Sequence, residues 1–157
     1  MNNVSDKLVN YYPNYWESAN YDGTLYVLKP VYKNSQEFMS VAIKFPRTVD
    51  NLYRIQNPLA YLRYILHGEH LFHLPTTTQR DYTEQIVYHP VSPKDVESAM
   101  MYNCDKRHYI NPQGNFYTNP AHMPTAAGNC FILLRKRGNT DEATCTKNHY
   151  PMYLITV

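Results

Sequence analysis

Cys130-Phe131-Ile132-Leu133-Leu134 is an unbroken apolar run bounded by Asn129 and the basic residues Arg135-Lys136-Arg137. A run this short, with no polar residue on either alternate set, reads as a strand buried on both faces and placed inside a sheet. Tyr150-Pro151-Met152-Tyr153-Leu154-Ile155-Thr156-Val157 reads as a second, closing strand. Its proline stands near the start, where a missing N–H is tolerated. Working backwards, Glu84-Gln85-Ile86-Val87-Tyr88-His89 holds another short strand, and Phe116-Tyr117 a very short one. Leu25 to Tyr32 and Phe38 to Phe45 are rich in strand formers and are separated by the turn residues Lys33-Asn34-Ser35-Gln36, which predicts a hairpin.

Helical signals sit between these strands. Thr48 and Asp50 offer caps for a helix through Leu52 and Ile55, continuing or restarting at Pro58 with Leu59, Leu62, Ile65 and Leu66 on one side. Ser92-Pro93-Lys94-Asp95 places a hydroxyl, a proline and an acid in helix-starting order ahead of Val96, Ala99 and Met100. That predicts a short helix over 93–102. Residues 1–24 read as an irregular lead-in anchored by Trp16, and 25–157 as a single α+β domain.

Composition narrows the function classes. The chain has 157 residues, 43% hydrophobic and 18% charged, which suits one globular unit and excludes wholesale disorder. Sixteen Tyr against five Gly favours sheet over loop. A formal net charge of +2 is too small to imply general binding to nucleic acid or a membrane surface. The three cysteines Cys104, Cys130 and Cys145 are odd in number, widely spaced and preceded by no apolar leader, so an intracellular setting, cytoplasmic or nuclear, is expected, with no membrane partner.

Taken in order, several segments resemble the catalytic domain of PARP-type ADP-ribosyltransferases, closest to the branch of the TCDD-inducible polymerase and the zinc-finger antiviral protein. Ser35-Gln36-Glu37-Phe38 through Phe45 and Thr48 resembles that family's opening hairpin, and Arg54-Ile55-Gln56-Asn57-Pro58 with Tyr61 and Tyr64 its first helix. Glu84 to His89 stands where the family has the strand ending in His-Gly-Thr, and Asn103-Cys104-Asp105-Lys106-Arg107 is similar to its Asn-Phe-Asp-Trp-Arg segment. Pro112 to Thr118 resembles the Gly-Lys-Gly-Ser-Tyr-Phe-Ala loop, and Tyr150 to Ile155 the closing Tyr-Pro-Glu-Tyr-Leu-Ile strand. The resemblance implies an ADP-ribosyltransferase fold of split, mainly antiparallel sheets with few short helices.

It also implies a damaged pocket. The family's Gly after the motif His holds the nicotinamide amide through its backbone; Pro90 stands there, with no N–H to give. The family's carboxamide-binding Ser and ring-stacking Tyr fall on Pro124 and Ala127, and the motif Tyr is Phe116. The third family position falls near Thr140, with Glu142 close by. Of the ligand-holding set only His89 survives. Each lost hydrogen bond costs about 1–3 kcal/mol and each lost stack about 1–3 kcal/mol, so NAD is not expected to bind and no cofactor is implied.

The resemblance therefore implies a pseudoenzyme used as a protein-interaction or scaffold module, in an RNA-silencing, antiviral or chromatin-silencing assembly. The first rival is a residual mono-ADP-ribosyltransferase using His89, Phe116 or Tyr117, and Glu142. The second is an RNA or nucleotide binder in which Arg135, Lys136 and Arg137 grip phosphate, against the plainer reading of that run as a solvated strand edge. The histidines of His67-Gly68-Glu69-His70-Leu71-Phe72-His73 lack a matching second ligand group, so they read as a helix end rather than a metal site.

Overall fold

The computed structural model describes residues 12–72, 84–112, 115–124, 128–137 and 148–157. In chain order the elements are β1 (Val27–Pro30), α1 (Gln36–Ala42), β2 (Asn51–Gln56), α2 (Pro58–Phe72), β3 (Glu84–Pro90), α3 (Val96–Met101), two 3₁₀ turns at Lys106–His108 and Pro120–His122, β4 (Cys130–Arg137) and β5 (His149–Thr156). The fold is α+β. Where split sheets were expected, all described strands lie in one sheet in the order β1-β2-β5-β4-β3, every pairing antiparallel.

The strands read around Leu134 and Leu154 stand inside the sheet, β5 at its centre and β4 beside it. Both faces are covered. On one, Phe38 and Val41 of α1 pack on Phe131, Leu133, Tyr153 and Ile155, while Tyr61 and Tyr64 of α2 pack on Tyr150. On the other, Ala99 and Met100 of α3 meet Val87, Ile132, Leu134 and Leu154. Pro151 falls inside a central strand, where β5 bulges against β4 between the pairs Leu133–Tyr153 and Leu134–Pro151 and beyond its last pairing with β2. Bulges are where a sheet accepts proline.

The expected hairpin is corrected. Residues 36–42 are helical, because Ser35 caps them: its Oγ accepts the Phe38 N–H at 3.1 Å. Phe38, Val41 and Phe45 are all buried at the three- and four-residue steps of one helix face, whereas a strand would turn Phe38 away from the other two. The expected helix over Leu52 and Ile55 is corrected too. It is strand β2, with Leu52 in the cluster beside α1 and Ile55 in the cluster beside α3.

Two buried polar residues make that strand unreadable as one. Arg54 donates from Nε to Glu37 Oε1 at 2.8 Å, Tyr153 donates its hydroxyl to the same oxygen at 2.8 Å, and Arg54 Nη1 reaches Gln56 Oε1 at 3.2 Å. Gln56 in turn exchanges hydrogen bonds with the backbone of Glu17, tying the lead-in to the sheet, while Trp16 packs 5.4 Å from both Tyr12 and Tyr61. Asn57 is the true cap of α2, its Oδ1 accepting the Ala60 N–H at 3.1 Å. Pro58 then occupies the first turn, where its missing donor costs nothing.

The helix expected over 93–102 begins at Val96. Ser92 and Asp95 close a turn instead, and the Asp95 carboxylate, which the sequence assigns to the helix start, accepts the N–H groups of Ile110 at 2.6 Å and Asn111 at 2.9 Å. At its other end Asn103 sits at φ 53° and Cys104 N–H reaches back to Ala99 O at 2.8 Å. This is a left-handed cap of the Schellman kind, and Asn is the residue that tolerates it best after Gly. Together these two devices aim residues 103–112 across the face of the sheet that bears His89.

Candidate functional site

His89 lies near the end of β3, opposite Ile132 of β4, and is 0% exposed. Its ring is 4.6 Å from that of Phe116, which is in turn 5.2 Å from the ring of His149 on β5. Phe116 reaches the ring because Tyr117 pairs with Tyr88 at the outer edge of β3, exchanging bonds of 2.8 and 2.9 Å. The ammonium groups of Lys106 and Lys136 stand 5.3 and 5.2 Å from the Phe116 ring centroid, within cation–π reach.

Both ring nitrogens of His89 are taken. Nδ1 lies 3.0 Å from Asn115 O and Nε2 lies 3.0 Å from the Tyr109 hydroxyl. A carbonyl only accepts, so Nδ1–H donates to Asn115 and Nε2 accepts from Tyr109. A chain Tyr109–His89–Asn115 therefore runs through the imidazole with both of its donors used. The buried Cys104 thiol is a neighbour of Tyr109.

Burial governs the titration of this cluster. It lowers His89 to about 4, helped by the charge of Lys106 and by His149. His149, 1% exposed, falls to about 4 for the same first reason, with Lys136 adding to the effect; its Nδ1 lies 3.3 Å from Asn103 O. Cys104 is pushed up to about 12 by burial, so it stays a thiol. At neutral pH the site therefore holds two neutral imidazoles and no thiolate nucleophile. Asp105, in contrast, is held below the usual carboxylate range by its hydrogen bonds from Arg107, whose Nη2 is 2.7 Å away.

Of the remaining residues singled out by sequence, Lys136 reaches this cluster through Phe116. Pro90 ends β3 with its nitrogen facing outward, because Val91 N–H bonds inward to Cys130 and successive strand residues alternate. Pro124 is exposed, and Ala127, Thr140 and Glu142 lie outside the described residues. Arg135, Lys136 and Arg137 do not share a surface. Arg135 bonds Glu84 from Nε at 3.0 Å, and Arg137 lies over the Tyr64 ring at 3.6 Å and donates to Tyr64 O at 2.6 Å, on the face covered by α2. Lys136 points to the opposite face and is 4% exposed. A strand of period two must divide such a run, so the half-buried Arg135 and Arg137 share one face and the buried Lys136 takes the other.

Gly68 makes the Arg137 contact fit, since a Cβ there would collide with the guanidinium. His67 and His70 have ring centroids 6.3 Å apart within α2, and no metal-binding group of three or more His, Cys, Asp or Glu occurs among the described residues. Among those residues no helix is long and apolar enough to cross a membrane. Sequence reading did not find Tyr109, His149 or Asn115, nor the meeting of Lys106 and Lys136 on Phe116, which come from segments far apart in the chain. No protein-family model matches the chain, and no curated protein matches it.

Proposed function

We propose that this chain is a PARP-like pseudoenzyme, a binding or scaffold module that engages a protein partner and does not turn over NAD. One observation carries the reading: His89, the one residue of the ligand-holding set that survives in the family resemblance, is held at its Nε2 by the chain's own Tyr109 at 3.0 Å, with Phe116 packed on the ring. A dinucleotide would have to displace both groups and leave a buried imidazole or hydroxyl unpaired, at about 1–3 kcal/mol for each such group. Pro90 adds to this, because a proline offers no amide to a carboxamide ligand at the strand end.

Exposed apolar side chains away from the site support a contact role. Tyr32 is 75% and Ile43 83% exposed, flanking α1. The test has two arms. Titration with millimolar NAD or a nicotinamide-mimicking inhibitor should give no saturable heat and no thermal shift. His89→Ala should leave partner binding intact in a pull-down from native extract, whereas changes at exposed tyrosines should weaken it. Saturable NAD binding, or loss of partner binding with His89→Ala in a folded protein, overturns the proposal.

A further inference from the structure

Strand β3 is one edge of the sheet, and half of its backbone groups face away from β4. The outward residues are Glu84, Ile86, Tyr88 and Pro90, by the same alternation that turns Val91 inward to Cys130. Tyr88 is closed by its two hydrogen bonds with Tyr117. Pro90 has no donor to expose. Continuing the Tyr88–Tyr117 register would set Ile86 opposite Asn119, but the chain leaves the edge there. Asn119 caps the 3₁₀ turn at Pro120–His122, its Oδ1 accepting the Ala121 N–H at 3.0 Å. The departure opens a wedge of about 410 Å³ between the edge and the departing segment, lined by Lys44, Pro46, Ile86, Thr118, Asn119 and Pro120 among others. Among the described residues no hydrogen bond reaches the outward backbone of Ile86, and its side chain is 43% exposed.

The opposite edge differs. Strand β1 has only four residues, two of them Lys29 and Pro30, and short edges carrying lysine and proline discourage further pairing. Ile86 lacks that protection. We propose that the wedge beside Ile86 takes an extended segment of a partner protein, added to β3 as a further strand; this rests on reading the chain as a protein-binding module. The open N–H and C=O of Ile86 match an occupant with backbone groups at strand spacing, which an extended chain supplies. Ile86, Pro46 and Pro120 set an apolar side chain at the centre of that segment. Lys44 is the one charged side chain lining the wedge among the described residues, so a carboxylate beside that apolar residue completes the match.

The test selects linear dodecamers from a phage-displayed random library on the whole chain, then measures the synthetic winners. Selected peptides should alternate apolar and polar residues with an acid near the centre, and should slow amide exchange at Ile86 by about tenfold or more. Ile86→Pro removes only an outward donor, and Ile86→Lys keeps the backbone while adding an edge charge; each should weaken binding by about tenfold or more at an unchanged unfolding midpoint. If Ile86→Pro alone perturbs folding, Ile86→Lys decides. Binding indifferent to Ile86→Lys, a library that yields no binder, or an Ile86 edge found paired with a second copy of this chain by sedimentation overturns the proposal. Peptides that lose affinity with Tyr32→Ala or Ile43→Ala, and not with Ile86→Lys, sink the edge site while leaving the protein-binding reading standing. Saturable NAD binding does the reverse.

Discussion

Replacing His89 or His149 by Gln should flatten the acid limb of the stability curve. Above the ordinary value of 6.5 both rings are neutral whether the chain is folded or not, so they contribute no pH dependence. Between 6.5 and about 4 the unfolded chain binds a proton that the folded chain refuses, and stability falls as pH falls. Below about 4 the folded rings protonate as well and the loss stops growing. At ~1.4 kcal/mol per pH unit, each ring should have cost the fold about 2 kcal/mol by about pH 5. The two contributions are not independent, since each ring faces the other across Phe116, with Lys106 and Lys136 on the same phenyl ring and Asp105 nearby. Glu37 and Asp105, whose carboxyls are held down in the folded state, lose their own stabilisation at lower pH in the same direction.

Urea unfolding of wild type and of each Gln variant separates these effects. Gln still offers a donor to the backbone carbonyl and an acceptor to Tyr109, and it does not titrate. Between about pH 7.5 and about pH 5 the wild type should lose about 2 kcal/mol more than either variant, while the shared carboxylates cancel in the difference. Parallel curves for wild type and His89→Gln would mean that the folded ring accepts a proton freely. The site would then be wet and open, and the argument that it is sealed by Tyr109 and Phe116 would fail.

Tyr109→Phe removes the hydroxyl from His89 Nε2 and should cost about 1–3 kcal/mol by thermal unfolding; an unchanged midpoint would contradict the hydrogen-bonded chain. Glu37→Ala strips the carboxylate from Arg54 and Tyr153 and should destabilise by about 3 kcal/mol in urea, since the nearly buried Arg54 keeps only Gln56 and the more distant Glu17 carboxylate, whereas a loss below about 0.5 kcal/mol would make the network ornamental. Gly68→Ala should fail to deliver the ~1 kcal/mol that alanine gives in a helix interior, because its methyl displaces Arg137 from Tyr64; a full gain would show that the Arg137 contact contributes nothing.

The parts of the fold legible in the sequence are those where one local signal had no rival. Cys130 to Leu134 is too apolar and too short for anything but an interior strand, and Asn57-Pro58 marks the start of α2 once Asn57 is seen as a cap. The misreadings share a cause. Met39, Val41, Ile43 and Phe45 alternate as a strand would while Phe38, Val41 and Phe45 keep helix spacing in the same short window, and the Ser35 cap separates the two readings. Arg54 and Gln56 are polar residues buried in a strand, satisfied by Glu37, Tyr153 and Glu17 from elsewhere in the chain, so no local pattern could mark them as interior. The site follows the same rule. His89 and Phe116 came from collinear motifs, but Tyr109 is an ordinary loop tyrosine in the sequence and becomes the lid on His89 only because Asp95 anchors the adjoining backbone. The basic run divides between two faces for a geometric reason, since three consecutive strand residues cannot face one way.

The claim that the chain fills its own site is tested most directly at the His89 ring. Nitrogen-15 NMR of the imidazole in the neutral protein should show a protonated Nδ1 and an unprotonated, hydrogen-bonded Nε2, as the contacts with Asn115 and Tyr109 require. Addition of NAD to millimolar concentration should leave both resonances where they are. A saturable shift of the His89 nitrogens on adding NAD, with loss of the Tyr109 hydrogen bond, would show a cleft still open to the dinucleotide and would contradict the account.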